Sequence, residues 1–63
     1  MYTIIDRIEF EHTVELHLAS DDIDLSKDPS KYDRVIYADY ATAEKLHIGD
    51  YIDGSKNYVF RNL

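Results

Sequence analysis

The 63-residue chain contains no cysteine, which excludes a disulfide frame and any thiolate metal site. Domains of this size usually lean on disulfides, a metal or a partner to supplement a thin core. With the first of these excluded, a permanent partner or a homodimer becomes an expectation. Proline occurs once and glycine twice, and no repeat, low-complexity tract or linker divides the chain. It reads as one domain covering residues 1–63. Long apolar runs are also missing: the longest is Val35-Ile36-Tyr37-Ala38, far short of the ~20 residues that span a bilayer. Asp6 and Arg7 interrupt the N-terminal isoleucines, so no signal peptide is expected and a cytoplasmic location is the default.

Basic residues are scarce, seven Lys and Arg against thirteen Asp and Glu, for a net charge of −6. A field of that sign repels phosphate backbones, which are bound through Lys and Arg releasing counterions. Direct nucleic-acid binding is therefore not expected. The acidic balance suits a basic protein partner, such as the face that a nucleic-acid-handling enzyme offers to its substrate. The plainer reading is that the acids keep a small protein soluble.

What the chain does contain is alternation. The hydrophobic share of 44% is that of a folded domain. Tyr2, Ile4, Ile8 and Phe10 share one parity, and Val14, Leu16 and Leu18 share it again. A period of two predicts half-buried β-strands over 2–10 and 13–19. The polar link at Glu11-His12 makes them an antiparallel hairpin. Asp6 has the parity of Ile4 and Ile8, so either a bulge near Ile5 turns the acid outward or Asp6 points inward and needs hydrogen-bond partners. The apolar Ile5 favours the bulge, or a strand buried on both faces.

Ile23 and Leu25, alternating with acids, predict a short third strand. Ser26-Lys27-Asp28-Pro29-Ser30-Lys31 is a loop, with Asp28, Ser26 and Ser30 able to bond the local backbone. A fourth strand is expected over 34–38. Past Asp39 the period changes, and 41–46 predict a helical turn capped by Asp39 or Thr42, with Gly49 as its exit. Tyr51 and Ile52 open a last hairpin whose turn is 53–57 and whose return is 58–61; its Asp-Gly pair is a turn former. The expected fold is mainly β, a small open barrel, SH3-like or OB-like, of five to six short antiparallel strands with one short helical turn near residues 41–46.

Ile4-Ile5-Asp6-Arg7-Ile8-Glu9, then Val14-Glu15-Leu16, then Leu46-His47-Ile48-Gly49-Asp50-Tyr51-Ile52 together cover about a third of the chain. In these stretches the chain resembles a family of small uncharacterised bacterial domains with an Ile-Asp-Arg start and a Gly-Asp strand entry. The resemblance implies a compact β-barrel and carries no activity. The chain departs from the pattern in a first turn without glycine and a long segment over 26–40.

Catalysis and metal binding find little purchase. Asp21-Asp22-Ile23-Asp24 is the densest acid cluster, but no glycine turn or distal glutamate follows as a calcium loop needs; a solvated strand face or turn is the plainer reading. His12, His17 and His47 do not converge by spacing as zinc would require. His12 belongs in the turn, and His17 on the polar face beside Glu15. There is no nucleophile elbow, and Ser20, Ser26, Ser30 and Ser55 all lie near predicted turns. So small a barrel also lacks the ~300 Å³ that ligand pockets usually occupy. No enzyme activity, cofactor or metal is expected.

Six tyrosines are many for so small a core, since each phenol wants a partner. Tyr32, Tyr37 and Tyr40 lie in one segment with Asp33 and Asp39; Asp50, Tyr51 and Asp53 follow the helical turn. Aromatics flanked by acids predict a partner-binding face of Tyr32, Asp33, Tyr37, Asp39, Tyr40, Asp50, Tyr51 and Asp53. The plainer alternative has the tyrosines half-buried at the ends of the barrel. The functional expectation is a non-catalytic, acidic protein-binding module. Its sharper form is an inhibitor, carried by a phage or mobile element, that occupies the nucleic-acid-binding face of a basic enzyme. The competing reading is a small barrel that binds nucleic acid or a small ligand through aromatics over a basic groove; there, Asp28 and Asp33 interrupt Lys27, Lys31 and Arg34.

Overall fold

A computed structural model describes residues 1–53 of the chain. They form a mainly β, curled open half-barrel with strands β1 (Tyr2–Glu9), β2 (Val14–Ser20) and β3 (Arg34–Ala38), a short helix α1 (Tyr40–Ala43), and strand β4 (Tyr51–Ile52). All pairings are antiparallel, in the sheet order β3-β2-β1-β4.

The central strand β2, paired on both sides, alternates from Val14 to Leu18, and only Ala19 breaks the pattern by being buried as well. Val14, Leu16 and Leu18 are fully buried, while Glu15 and His17 face the other way. Ile4, Ile36, Ala38, Ala43, Leu46 and Ile52 complete the core on the inner face, with Tyr2 packed against it. Each buried Leu, Ile or Val removes roughly 1.5–3 kcal/mol worth of apolar surface from water, so a handful of residues on β2 and β1 carries much of the stability.

The bulge expected near Ile5 is present: Ile4 pairs with Leu18, Asp6 pairs with His17, and Ile5 has no partner of its own in that ladder. Asp6 is exposed. The bulge has a further effect that the alternation did not anticipate. It reverses the facing of everything after it, because a one-residue shift exchanges the two sides of a strand. Arg7 and Glu9 now pair with the core residues Leu16 and Val14, while Ile8 pairs with Glu15 on the outer face. Ile8, expected in the core, is only half-buried, and Phe10 lies beyond the strand at 47% exposure.

Arg7 consequently lies along the open end of the core. Its Nη1 bonds the Glu9 carboxylate, and its Nη2 lies 3.5 Å from the Ala43 carbonyl at the end of α1. Among the described residues its Nε is buried without a hydrogen-bond partner.

The expected third strand at Ile23 and Leu25 is absent, and the segment between β2 and β3 is a series of turns. Side-chain bonds win over a ladder there. The Asp24 carboxylate accepts from the Ser26 amide at 3.0 Å and from its hydroxyl at 2.5 Å. The Asp24 carbonyl takes the amides of Lys27 and Asp28, and Asp28 repeats the pattern on Ser30. Asp22 and Asp24 therefore do not share a strand face.

After β3 the expected helical turn, its cap and its glycine exit are present. Asp39 caps α1, its carboxylate accepting from the Thr42 amide at 2.8 Å. The helix is shorter than expected, closing at Ala43, although single turns continue to Leu46. Gly49 has φ +95°, a backbone state that costs L-residues and not glycine. There its amide donates to the Ile4 carbonyl, and the Ile4 amide donates to the Asp50 carbonyl, so the chain joins β1 just before β4 begins. The described strands number four, not five to six; the turn and return strand expected after Asp53 lie outside the described residues.

Candidate functional site

The outer face of the sheet presents the densest group of interacting polar and aromatic side chains. Glu15 and His17 are two apart on β2, so alternation sets them side by side. The Glu15 carboxylate lies 2.5 Å from Nε2 of His17. Across the strand pair Tyr37 stands opposite Glu15 and Val35 opposite His17, and direct cross-strand partners share a face. Tyr32, approaching from the loop before β3, lays its ring against His17 with centroids 4.2 Å apart and planes tilted by 31°. From the other side, the bulge delivers Asp6 opposite His17 and Ile8 opposite Glu15.

These contacts set the charge state. The Glu15 carboxyl titrates below its ordinary range, chiefly because His17 and then Tyr37 bond its ionised form, against smaller opposing effects of burial and Asp6. The Tyr37 phenol is pushed upward because its proton is held by Glu15 and a nearby negative charge opposes a second one. At neutral pH the face carries a carboxylate bonded to His17, a neutral phenol opposite it and an imidazole against a second phenol. Glu15 and His17 bond one another, and the Tyr32 ring holds the imidazole from its other side.

The residues expected to form one partner-binding face are dispersed. Tyr32 and Tyr37 meet on the outer face as described. Asp33 lies next to them, where its carboxylate accepts from the Ser20 amide at 2.9 Å and hydroxyl at 2.5 Å and ties the start of β3 to the end of β2; the same bonds lower its pKa. Asp39 is occupied as the cap of α1. Tyr40 is exposed at α1 and its hydroxyl donates to the Phe10 carbonyl across the hairpin turn. Asp50 closes the turn before β4 by accepting from the His47 amide at 2.9 Å. Tyr51 is 69% exposed opposite Thr3, and Asp53 is half-buried at the end of the described residues. β3 and β4 stand at opposite ends of the strand order, so Tyr37 and Tyr51 do not share a sheet edge.

Glu15 and His17 were legible as a polar pair but not as the centre of an aromatic group, because Tyr32 reaches His17 from a loop. Ile8 was assigned to the core; its signal was the misplaced Asp6. Among the described residues no group of three or more His, Asp or Glu is placed to hold a metal ion, and no helix is long and apolar enough to cross a membrane. Comparison with protein-family models, curated proteins and solved structures finds no match for this chain.

Proposed function

We propose that this chain is a non-catalytic, acidic protein-binding module whose partner is basic. The observation that carries this reading is the outer sheet face. Tyr32, Tyr37 and Val35 surround the bonded Glu15–His17 pair, on a chain of net charge −6. Tyrosine supplies large contact area with few rotors to immobilise. The ionised carboxylates around it steer a cationic partner more than they set final affinity. The half-barrel, whose three-strand meander leads through a helical turn to a strand that returns to β1, supports a small open barrel of the SH3-like or OB-like kind. In its sharper form the module inhibits a nucleic-acid-handling enzyme by covering its basic substrate face in the cytoplasm of a cell infected by a phage or carrying a mobile element.

The test is affinity capture from host lysate with the tagged chain at low and high salt, followed by titration of each captured protein in purified form. The reading expects one basic partner, bound more weakly as salt rises and more weakly still by Tyr32→Ala. Binding of an oligonucleotide in preference to any protein at low salt would instead establish the nucleic-acid barrel. Retention of nothing beyond the chain itself would leave a self-associating domain and sink the proposal.

A further inference from the structure

The strand β3 lies at one end of the sheet: among the described residues it pairs with β2 and with no strand beyond. Antiparallel ladders alternate, so each residue of an edge strand directs its amide and carbonyl either toward its neighbour or away from the sheet. Three observations fix the phase here. The Phe10 amide bonds the Thr13 carbonyl, making that pair hydrogen-bonded and aiming the backbone of Thr13, Glu15 and His17 at β1. The Leu18 carbonyl accepts from the Asp33 amide, and the Ser20 amide bonds the Asp33 carboxylate, so the even-numbered residues of β2 aim the other way, at β3. The Ile4 amide donates to the Asp50 carbonyl and its carbonyl accepts from the Gly49 amide, so the Ile4 backbone is aimed away from β2, as the same phase requires. In the register of β2 with β3, Arg34, Ile36 and Ala38 then bond inward, and the amides and carbonyls of Val35 and Tyr37 point out of the sheet.

Natural edge strands are usually blunted by charged side chains, proline or a bulge. β3 has no proline and no bulge: its sequence is Arg-Val-Ile-Tyr-Ala, its pairing with β2 is regular throughout, and its one charged residue is Arg34 at its start. Arg34 is drawn over the Tyr2 ring, 5.4 Å from its centroid. The carboxylates nearest the edge are Glu15 on the outer face and Asp33 and Asp39 at the two ends of β3. A strand added there would lay its outward side chains beside Val35 and Tyr37 and run between those carboxylates.

Resting on the reading of the chain as a binder of basic protein, we propose that β3 is the docking edge. Its occupant is an extended segment of the partner, alternating apolar and Lys or Arg side chains, that adds to the sheet through the outward backbone groups of Val35 and Tyr37. A second copy of this chain, equally acidic, fits the site less well by charge.

The experiment is amide hydrogen exchange by NMR on the full chain, with a capped heptapeptide alternating Lys and Val as probe. Controls are the Glu-for-Lys peptide and a peptide N-methylated along one edge. The Lys peptide is expected to slow exchange of the Val35 and Tyr37 amides at least tenfold while leaving Ile36 nearly unchanged. The N-methylated and Glu peptides should lose that protection. Val35→Pro removes one outward N–H, at the kind of position where edge strands tolerate proline, and should abolish the effect with the far-ultraviolet spectrum retained. If that variant fails to fold, the N-methylated peptide carries the test alone. Binding of the Lys peptide without protection at Val35 and Tyr37 overturns the edge and leaves the acidic-module reading standing. Equal indifference to the Lys and Glu peptides overturns both. Protection of those amides in the dilute free chain, or protection that grows with protein concentration alone, also overturns the proposal, the latter by showing a second copy in the site.

Discussion

Arg7 offers the sharpest test of how the bulge organises this fold. Its side chain is 23% exposed, and its stem lies opposite Leu16 on the core face. Arg7→Ala removes two methylenes beyond Cβ, at about 0.8 kcal/mol each when buried. It also removes an ion pair with a half-exposed Glu9, worth about 0–1 kcal/mol. It also gives up a contact to the Ala43 carbonyl at the long limit of a hydrogen bond and removes a buried Nε without a partner, a group whose desolvation costs about 1–3 kcal/mol. Arg7→Met makes the same three polar changes but keeps a stem of similar length. The polar terms are therefore common to both variants, and the expected difference between them is that of two buried methylenes, about 1.6 kcal/mol. With a urea slope of about 1 kcal/mol per molar for a protein of this size, Arg7→Ala should melt about 1.6 M of urea below Arg7→Met. Urea melts followed by circular dichroism separate the two. If Arg7→Met falls as far as Arg7→Ala, the charge and not the stem holds the end of the core, and the reasoning fails.

Three other outcomes are expected. Asp39→Ala removes the cap of α1 and should cost about 1 kcal/mol in the same urea assay; Asp39→Asn should recover most of it, and no recovery would mean the cap bond is not the cause. Gly49→Ala meets open space at its Cβ, so its cost is that of a positive φ alone, about 1–2 kcal/mol; a neutral result would show the turn relaxing to negative φ. Glu15, Asp24 and Asp33 all titrate below their ordinary values, 4.5 for Glu and 3.8 for Asp. A depressed carboxyl adds stability above its unfolded pKa that is lost as pH falls through its folded one. The urea midpoint should therefore hold from neutral pH to about 5 and drop below about 4, with part of the drop missing in Glu15→Gln. A midpoint that stays level down to pH 3 would contradict these bonds.

Much of the sheet was legible where one residue type dominated one face. β2 has core on one side only and neighbours on both, so Val14, Leu16 and Leu18 had to alternate with Glu15 and His17. β3, the cap at Asp39 and the exit at Gly49 followed from equally local chemistry. The loop between β2 and β3 was misread because Ile23 and Leu25 alternate as strand residues do. The decisive competitors were Asp24 and Asp28, whose carboxylates hold Ser26 and Ser30 in turns. Period alone cannot weigh a side-chain bond against a ladder bond. The dispersal of the residues expected to form a partner face was hidden for a similar reason. Asp39 and Asp50 are acids beside aromatics, as an interface would have, but each carboxylate accepts a backbone amide that closes a turn or caps a helix.

The bulge at Ile5 links what was readable to what was not. Its existence followed from Asp6, an acid at an apolar parity, yet its consequence lies in every residue downstream of it. Had β1 kept its alternation past the bulge, Ile8 would lie over the core, Arg7 would face outward, and the cluster around Glu15 would border a guanidinium. Instead Arg7 is withdrawn to the core side, and its charge is matched there by Glu9 and the end of α1. The outer face keeps the carboxylate of Glu15 without a neighbouring Arg7 to neutralise it. One inserted residue thus sets the sign of the surface: it moves the cation of β1 off the tyrosine-bearing face and leaves Asp6 opposite His17. The proposed preference of this face for a basic partner rests on that arrangement, because the bulge removed the basic residue that would otherwise have occupied it.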